Sequence, residues 1–124
     1  MPAQVDWNDR MMDGYTDDGK AKDNYHKKAR AIFKKLANNL GLKPGQFSIR
    51  TNKAGPAVIG ETTLHAENIY VQVGSTAGIL YRSCNGQKDY SGGHNNWAPN
   101  EMMDDLDALT NRIRPEMERA QRSA

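Results

Sequence analysis

Residues 18–41, DGKAKDNYHKKARAIFKKLANNLG, decide how the rest of the chain is read. Ala21, Tyr25, Ala29, Ile32, Phe33, Leu36 and Leu40 recur every three or four positions, the spacing that lines one side of an α-helix with apolar groups. The remaining side is cationic, because Lys20, Lys22, Lys27, Lys28, Arg30, Lys34 and Lys35 are opposed only by Asp23. Asp17 or Asp18 can cap the free N–H groups of the first turn. The stop is marked by Leu40-Gly41-Leu42-Lys43-Pro44: Gly for a left-handed terminating residue, an apolar residue after it, then a Pro that cannot continue the helix. Residues 18–41 are therefore expected to contribute a core face and a basic surface together.

On the N-terminal side, residues 1–17 read as an irregular acidic arm, with Trp7, Met11, Met12 and Tyr15 among Asp6, Asp9, Asp13 and Asp17. On the C-terminal side the apolar period drops to two at Phe47 and Ile49, which is the alternation of a strand. Alternation resumes over residues 57–65, again at Ile69, Val71 and Val73, and again from Ile79 to Cys84, with Ala66-Glu67-Asn68 as a hairpin turn and residues 74–78 as a flexible loop. Asn85-Gly86 tolerates positive φ at both positions and predicts a tight turn closing a further small hairpin. Residues 91–99 read as loop. Asn100 is expected to cap a second helix over residues 100–121, with a stripe of Met103, Leu106, Leu109 or Thr110, Ile113 and Met117, kinked or broken near Pro115.

The expected order is α-β-β-β-β-α: an α+β fold, a two-layer sandwich whose four-stranded antiparallel meander (residues 46–90) is covered by the N-terminal and C-terminal helices. The outer sheet face would carry Arg50, Glu61, Thr63, His65, Tyr70, Gln72 and Arg82. At 124 residues the length suits a single domain over residues 1–124 that needs no metal or disulfide to close its core.

The net charge of +2 is unevenly spread: −4 over residues 1–19, +9 over 20–53, −1 over 54–100 and −2 over 101–124. The basic middle suits phosphate or an acidic protein surface, and equally a solvated helix face. Cys84 is the single cysteine and excludes an internal disulfide, so a cytoplasmic protein is the expectation. No apolar run approaches the roughly 18 residues that span a bilayer, and no membrane partner is expected.

Catalytic motifs are incomplete. His65-Ala66-Glu67 matches half of a zinc-deaminase pattern, but the Pro-Cys-x-x-Cys half has no counterpart. His26, His65, His94 and Cys84 have no metal-ligand spacing. Cys84 with His65 or His94 would suit a nucleophile and base only if folding brought them together, and a packing role is the plainer reading. The glycines lack the order of a phosphate loop. No catalytic residue, metal or cofactor is expected.

Residues 81–97, YRSCNGQKDYSGGHNNW, mix cations, aromatics and amides in a way that suits base stacking and phosphate contact, or a protein-binding loop anchored by Tyr, Trp and Arg; a polar connection with Trp97 plugged into the core is the bland alternative. Residues 52–65, NKAGPAVIGETTLH, and 79–93, ILYRSCNGQKDYSGG, resemble small proteins of bacteriophages and mobile elements to which no activity is attached. That resemblance implies a protein that binds host machinery, defence systems included, in the host cytoplasm. The leading expectation is a non-enzymatic, inhibitor-like binding protein whose partner is a host protein or nucleoprotein complex, or nucleic acid itself. The candidate binding residues are Lys27, Arg30, Lys34, Lys35, Arg50, Lys53, Arg82, Lys88, Tyr90, His94 and Trp97. The alternatives are a nucleotide or second-messenger binder, a small hydrolase, or a structural subunit of a homo-oligomer.

Overall fold

The computed structural model describes residues 19–52, 60–74, 78–86, 89–92 and 94–123. The expected caps at Asp17 and Asp18 and the acidic arm lie outside the described residues, as do Lys53 and Lys88. The first helix, α1, runs Gly19–Asn39. Tyr25, Ala29, Phe33, Leu36, Ala37 and Leu40 are buried, and Ile32 packs partly buried beside them. The predicted terminator operates as a Schellman closure: Leu42 N–H donates to Ala37 O at 2.9 Å, Gly41 N–H donates to Asn38 O at 3.0 Å, and Gly41 takes φ +80°. Leu42 then packs against the core.

Six strands follow: β1 Phe47–Asn52, β2 Glu61–Ala66, β3 Ile69–Gly74, β4 Ile79–Gly86, β5 Asp89–Gly92 and β6 Asn96–Ala98. All pairings are antiparallel, in the order β1-β2-β3-β4, and the far side of β4 is shared by two short strands. β6 pairs with the first half of β4 (Ile79↔Ala98, Leu80↔Trp97), and β5 with the second (Cys84↔Gly92, Gly86↔Asp89). The sheet is thus one position wider than the four-stranded meander expected from the sequence. Residues 91–99 are not all loop, since β6 returns beside β4. Asn85-Gly86 ends β4, with Gly86 paired to Asp89, instead of forming the turn, so the pairing is shifted from the hairpin expected. An irregular register between Cys84 and Gly86 accommodates that shift.

A 3-10 turn, Asn100–Asp104, precedes the second helix, α2, Leu106–Ser123. The cap is therefore Asp105 and not Asn100: its carboxylate accepts from Ala108 N–H at 3.2 Å, while Asn100 is buried. Pro115 neither breaks nor restarts α2, which is one continuous span; the proline is exposed, so the carbonyl its ring leaves unpaired can meet water.

Both helices lie on the same sheet face, α1 against β1 and β2, α2 against β4 and β3, and the two touch each other. The expected α+β class describes this arrangement. Strand alternation places Leu64, Ala66, Ile69, Val71, Val73, Ile79 and Tyr81 under the helices, where they meet Phe33, Leu36, Met103, Leu109, Ile113 and Met117. The two helices are also tied to each other by polar contacts at the end of α1: Arg114 donates to Asn39 O at 2.8 Å, and Asn39 Nδ2 donates to Thr110 Oγ1 at 3.3 Å.

A buried polar pair, His26 and Thr62, lies between α1 and β2. His26, 2 % exposed, holds a 2.7 Å hydrogen bond between Nδ1 and Thr62 Oγ1, which lies 3.2 Å from Thr51 Oγ1. Tyr25 packs edge-on to the His26 ring at 5.4 Å, and burial pushes its phenol above the ordinary range of about 10. The folded protein then keeps the Tyr25 proton to a higher pH than the unfolded chain, so this residue's contribution to stability is intact below about pH 10 and is lost as pH rises beyond it. The urea midpoint is expected to fall above that pH more steeply in the native protein than in Tyr25→Phe. Parallel pH curves for the two would show that the phenol is solvated.

Candidate functional site

The cationic candidates fall on two different layers. Lys27, Arg30, Lys34 and Lys35 are exposed on the outer side of α1. Among the described residues none of the three lysines has an ion-pair partner. Arg30 differs: its guanidinium donates to Ile49 O at 3.4 Å and to Thr51 Oγ1 at 3.3 Å, fastening α1 to β1. It is a scaffold contact as much as a surface charge.

Arg50 and Arg82 lie on the opposite surface, the sheet face that the helices leave uncovered. Register fixes their neighbours, since residues paired across strands project to the same side. One cross-strand row reads Arg50, Thr63, Gln72, Leu80, Trp97, and the next reads Ser48, His65, Tyr70, Arg82. Alternation in the sequence places Arg50, Glu61, Thr63, His65, Tyr70, Gln72 and Arg82 on this face, and they share it. Tyr70 is held in place, its hydroxyl donating to Gln72 Oε1 at 2.9 Å and its ring meeting His65 edge-on at 5.3 Å. His65 Nε2 is buried in that contact without a hydrogen-bond partner among the described residues. Arg82 donates to Asn95 Oδ1 at 3.1 Å, which orients the guanidinium toward the far edge of the sheet.

Trp97 is not plugged into the core. It is 47 % exposed and stands at the corner where the open face meets the β6 edge. The side chain leans over Gly78, and a Cβ at that glycine would come within 3.7 Å of the indole and 2.8 Å of Ala98 O. Beside it a shallow groove of about 430 Å³ is lined by Gly78, Trp97, Ala98, Pro99 and Arg112. Arg112 donates to Trp97 O at 2.9 Å, which fixes strand β6 against α2. His94 is exposed in the segment leading into β6. Tyr90 belongs to β5, and its side chain lies outside the described residues.

Cys84 is buried and its thiol donates to Ala66 O at 3.3 Å, closing the β2–β3 end of the sheet. That is a packing contact rather than a nucleophile–base pair. Among the described residues no three His, Cys, Asp or Glu side chains gather as metal ligands, and no helix is long and apolar enough to cross a membrane.

Sequence reading missed Arg112 and Asn95, whose places beside Trp97 and Arg82 depend on β6 returning to β4. It also missed the burial of His26, for which a signal was present: positions 26, 29, 33, 36 and 40 follow strict three–four spacing. No family model, curated protein or solved structure matches this chain.

Proposed function

We propose that this is a non-enzymatic binding protein, of the kind encoded by phages, that engages an anionic partner belonging to host nucleic-acid or defence machinery. The observation that supports this reading is the outer side of α1, where Lys27, Lys34 and Lys35 stand exposed without acidic partners among the described residues. Uncompensated cations on one helix attract polyanions over roughly a Debye length and raise the rate of encounter. The helix is a firm mount for them, because its apolar face closes the core and Arg30 ties it to β1.

The test is capture from a bacterial host lysate, with and without nuclease, at low and high salt, by the native chain and by the double reversal Lys34→Glu/Lys35→Glu. The native chain is expected to retain a defined component that is released by salt and absent from the double reversal. Nuclease treatment then distinguishes a nucleic-acid partner from a protein one. Identical recoveries on both baits, or retention unaffected by salt, would overturn the proposal.

A further inference from the structure

The open sheet face combines features that the basic helix lacks, and we infer that it is a platform for single-stranded nucleic acid, centred on Arg50, His65, Tyr70, Gln72, Arg82 and Trp97. The inference extends the binding reading but stands on the opposite layer of the molecule, so the two can fail separately.

The register gives the platform its layout. Arg50 is four strand steps from Trp97, roughly 19 Å at the usual strand separation. Four-stranded RNA-binding sheets stack about two or three bases on their aromatics. Here an exposed indole at one edge, a Tyr–His pair on the inner strands β2 and β3 and an arginine at the other edge supply surfaces on which bases or guanidinium-paired phosphates can rest. Gln72 lies between them with an amide whose carbonyl oxygen is already occupied by Tyr70, which directs its two N–H donors outward.

Rigidity favours the same reading. Tyr70 is locked by Gln72 and His65, and Arg82 by Asn95, so ordering these side chains on binding costs little of the roughly 0.5–1.5 kcal/mol that a mobile long side chain loses. The charge fits as well. Arg50 and Arg82 are the described cations of this face, and Glu61, paired with Asn52 at its end, is the described acid. An acidic peptide would use the arginines but would leave the aromatic surfaces without partners, which is why a nucleic acid is favoured.

Trp97 makes the test direct. In a Trp7→Phe background the remaining tryptophan fluorescence comes from Trp97, and titration with single-stranded oligonucleotides of U or dT at low salt is expected to quench it. Arg50→Ala/Arg82→Ala should flatten the dependence of log affinity on log salt by about 1.4, at about 0.7 per phosphate contact. Trp97→Ala, followed by anisotropy of a labelled oligonucleotide, should bind about tenfold more weakly. Arg50→Glu alone, a change at an exposed position, should weaken binding without altering the melting temperature, which separates loss of binding from loss of fold.

Absence of quenching at low salt would overturn the inference, as would an unchanged salt slope in the double arginine variant. Binding that survives Arg50→Ala/Arg82→Ala but disappears in Lys34→Glu/Lys35→Glu would place the nucleic acid on α1, rejecting the platform while supporting the helix. Equal quenching by poly-glutamate would reject it in favour of an acidic protein. Host capture that persists unchanged in the lysine reversal, with oligonucleotide quenching also intact, would leave the platform supported and the helix reading refuted.

Discussion

Phe33→Ala is expected to destabilise the protein by about 3–5 kcal/mol, the usual cost of deleting a buried aromatic ring. Phe33 is fully buried, on the α1 face that packs against β1 and β2, in the same core as Leu64 and Val71. Removing the ring forfeits its transfer free energy and leaves a void that close-packed neighbours on a helix and a sheet can fill only in part. Domains of this size are stable by about 5–15 kcal/mol, so the loss removes from about a fifth to all of that margin. Urea denaturation of the native chain, Phe33→Ala and the exposed neighbour Lys34→Ala gives the comparison. Lys34→Ala should stay within about 0.5 kcal/mol of the native value. A loss below about 1 kcal/mol for Phe33→Ala would mean that α1 does not close the core in this way.

Gly74→Ala is expected to cost about 3–5 kcal/mol through a different mechanism. Gly74 ends β3 with φ +133°, a region that L side chains rarely adopt, and it pairs with Glu61 at the start of β2. A Cβ there would strike the carbonyl oxygen of Gly60 and lie 2.7 Å from Glu61 Cα. Both obstacles are backbone, so relief requires the β2–β3 ladder to move. Gly45→Ala is the matched control: φ is +92° and a Cβ meets nothing within 4 Å, leaving only the conformational strain of about 1 kcal/mol. Urea midpoints measured side by side should rank the native chain, Gly45→Ala and Gly74→Ala in that order. Equal losses at the two glycines would show that close approach to Gly60 contributes nothing.

Much of the fold was legible because local spacing encodes which side of an element is apolar. The stripe from Tyr25 to Leu40, the Gly41 terminator, the alternation of Leu64 and of Val71 with their polar neighbours, and the Met103–Met117 stripe are properties of short windows. Pairing is not. The place of Trp97 beside Leu80, which turns an expected loop into strand β6, depends on contact between segments 17 residues apart in the chain. The same return brings Asn95 to Arg82 and Arg112 to the Trp97 backbone. That Pro115 does not break α2 has a related cause, since a helix packed on β4 can carry an unpaired carbonyl at its solvent side.

The candidate site divides along the same line. The chain read alone identifies a basic helix, a polar sheet face and an aromatic segment, because charge and periodicity are written in order along it. Only the tertiary structure separates Lys27, Lys34 and Lys35 from Arg50 and Arg82, since the sheet lies between the two groups. It alone commits Arg30 to β1 and His26 to Thr62, 36 residues away. A side chain's composition limits the bonds it can make, whereas its partner is chosen by strand register and layer packing, and both are set by contacts distant in sequence.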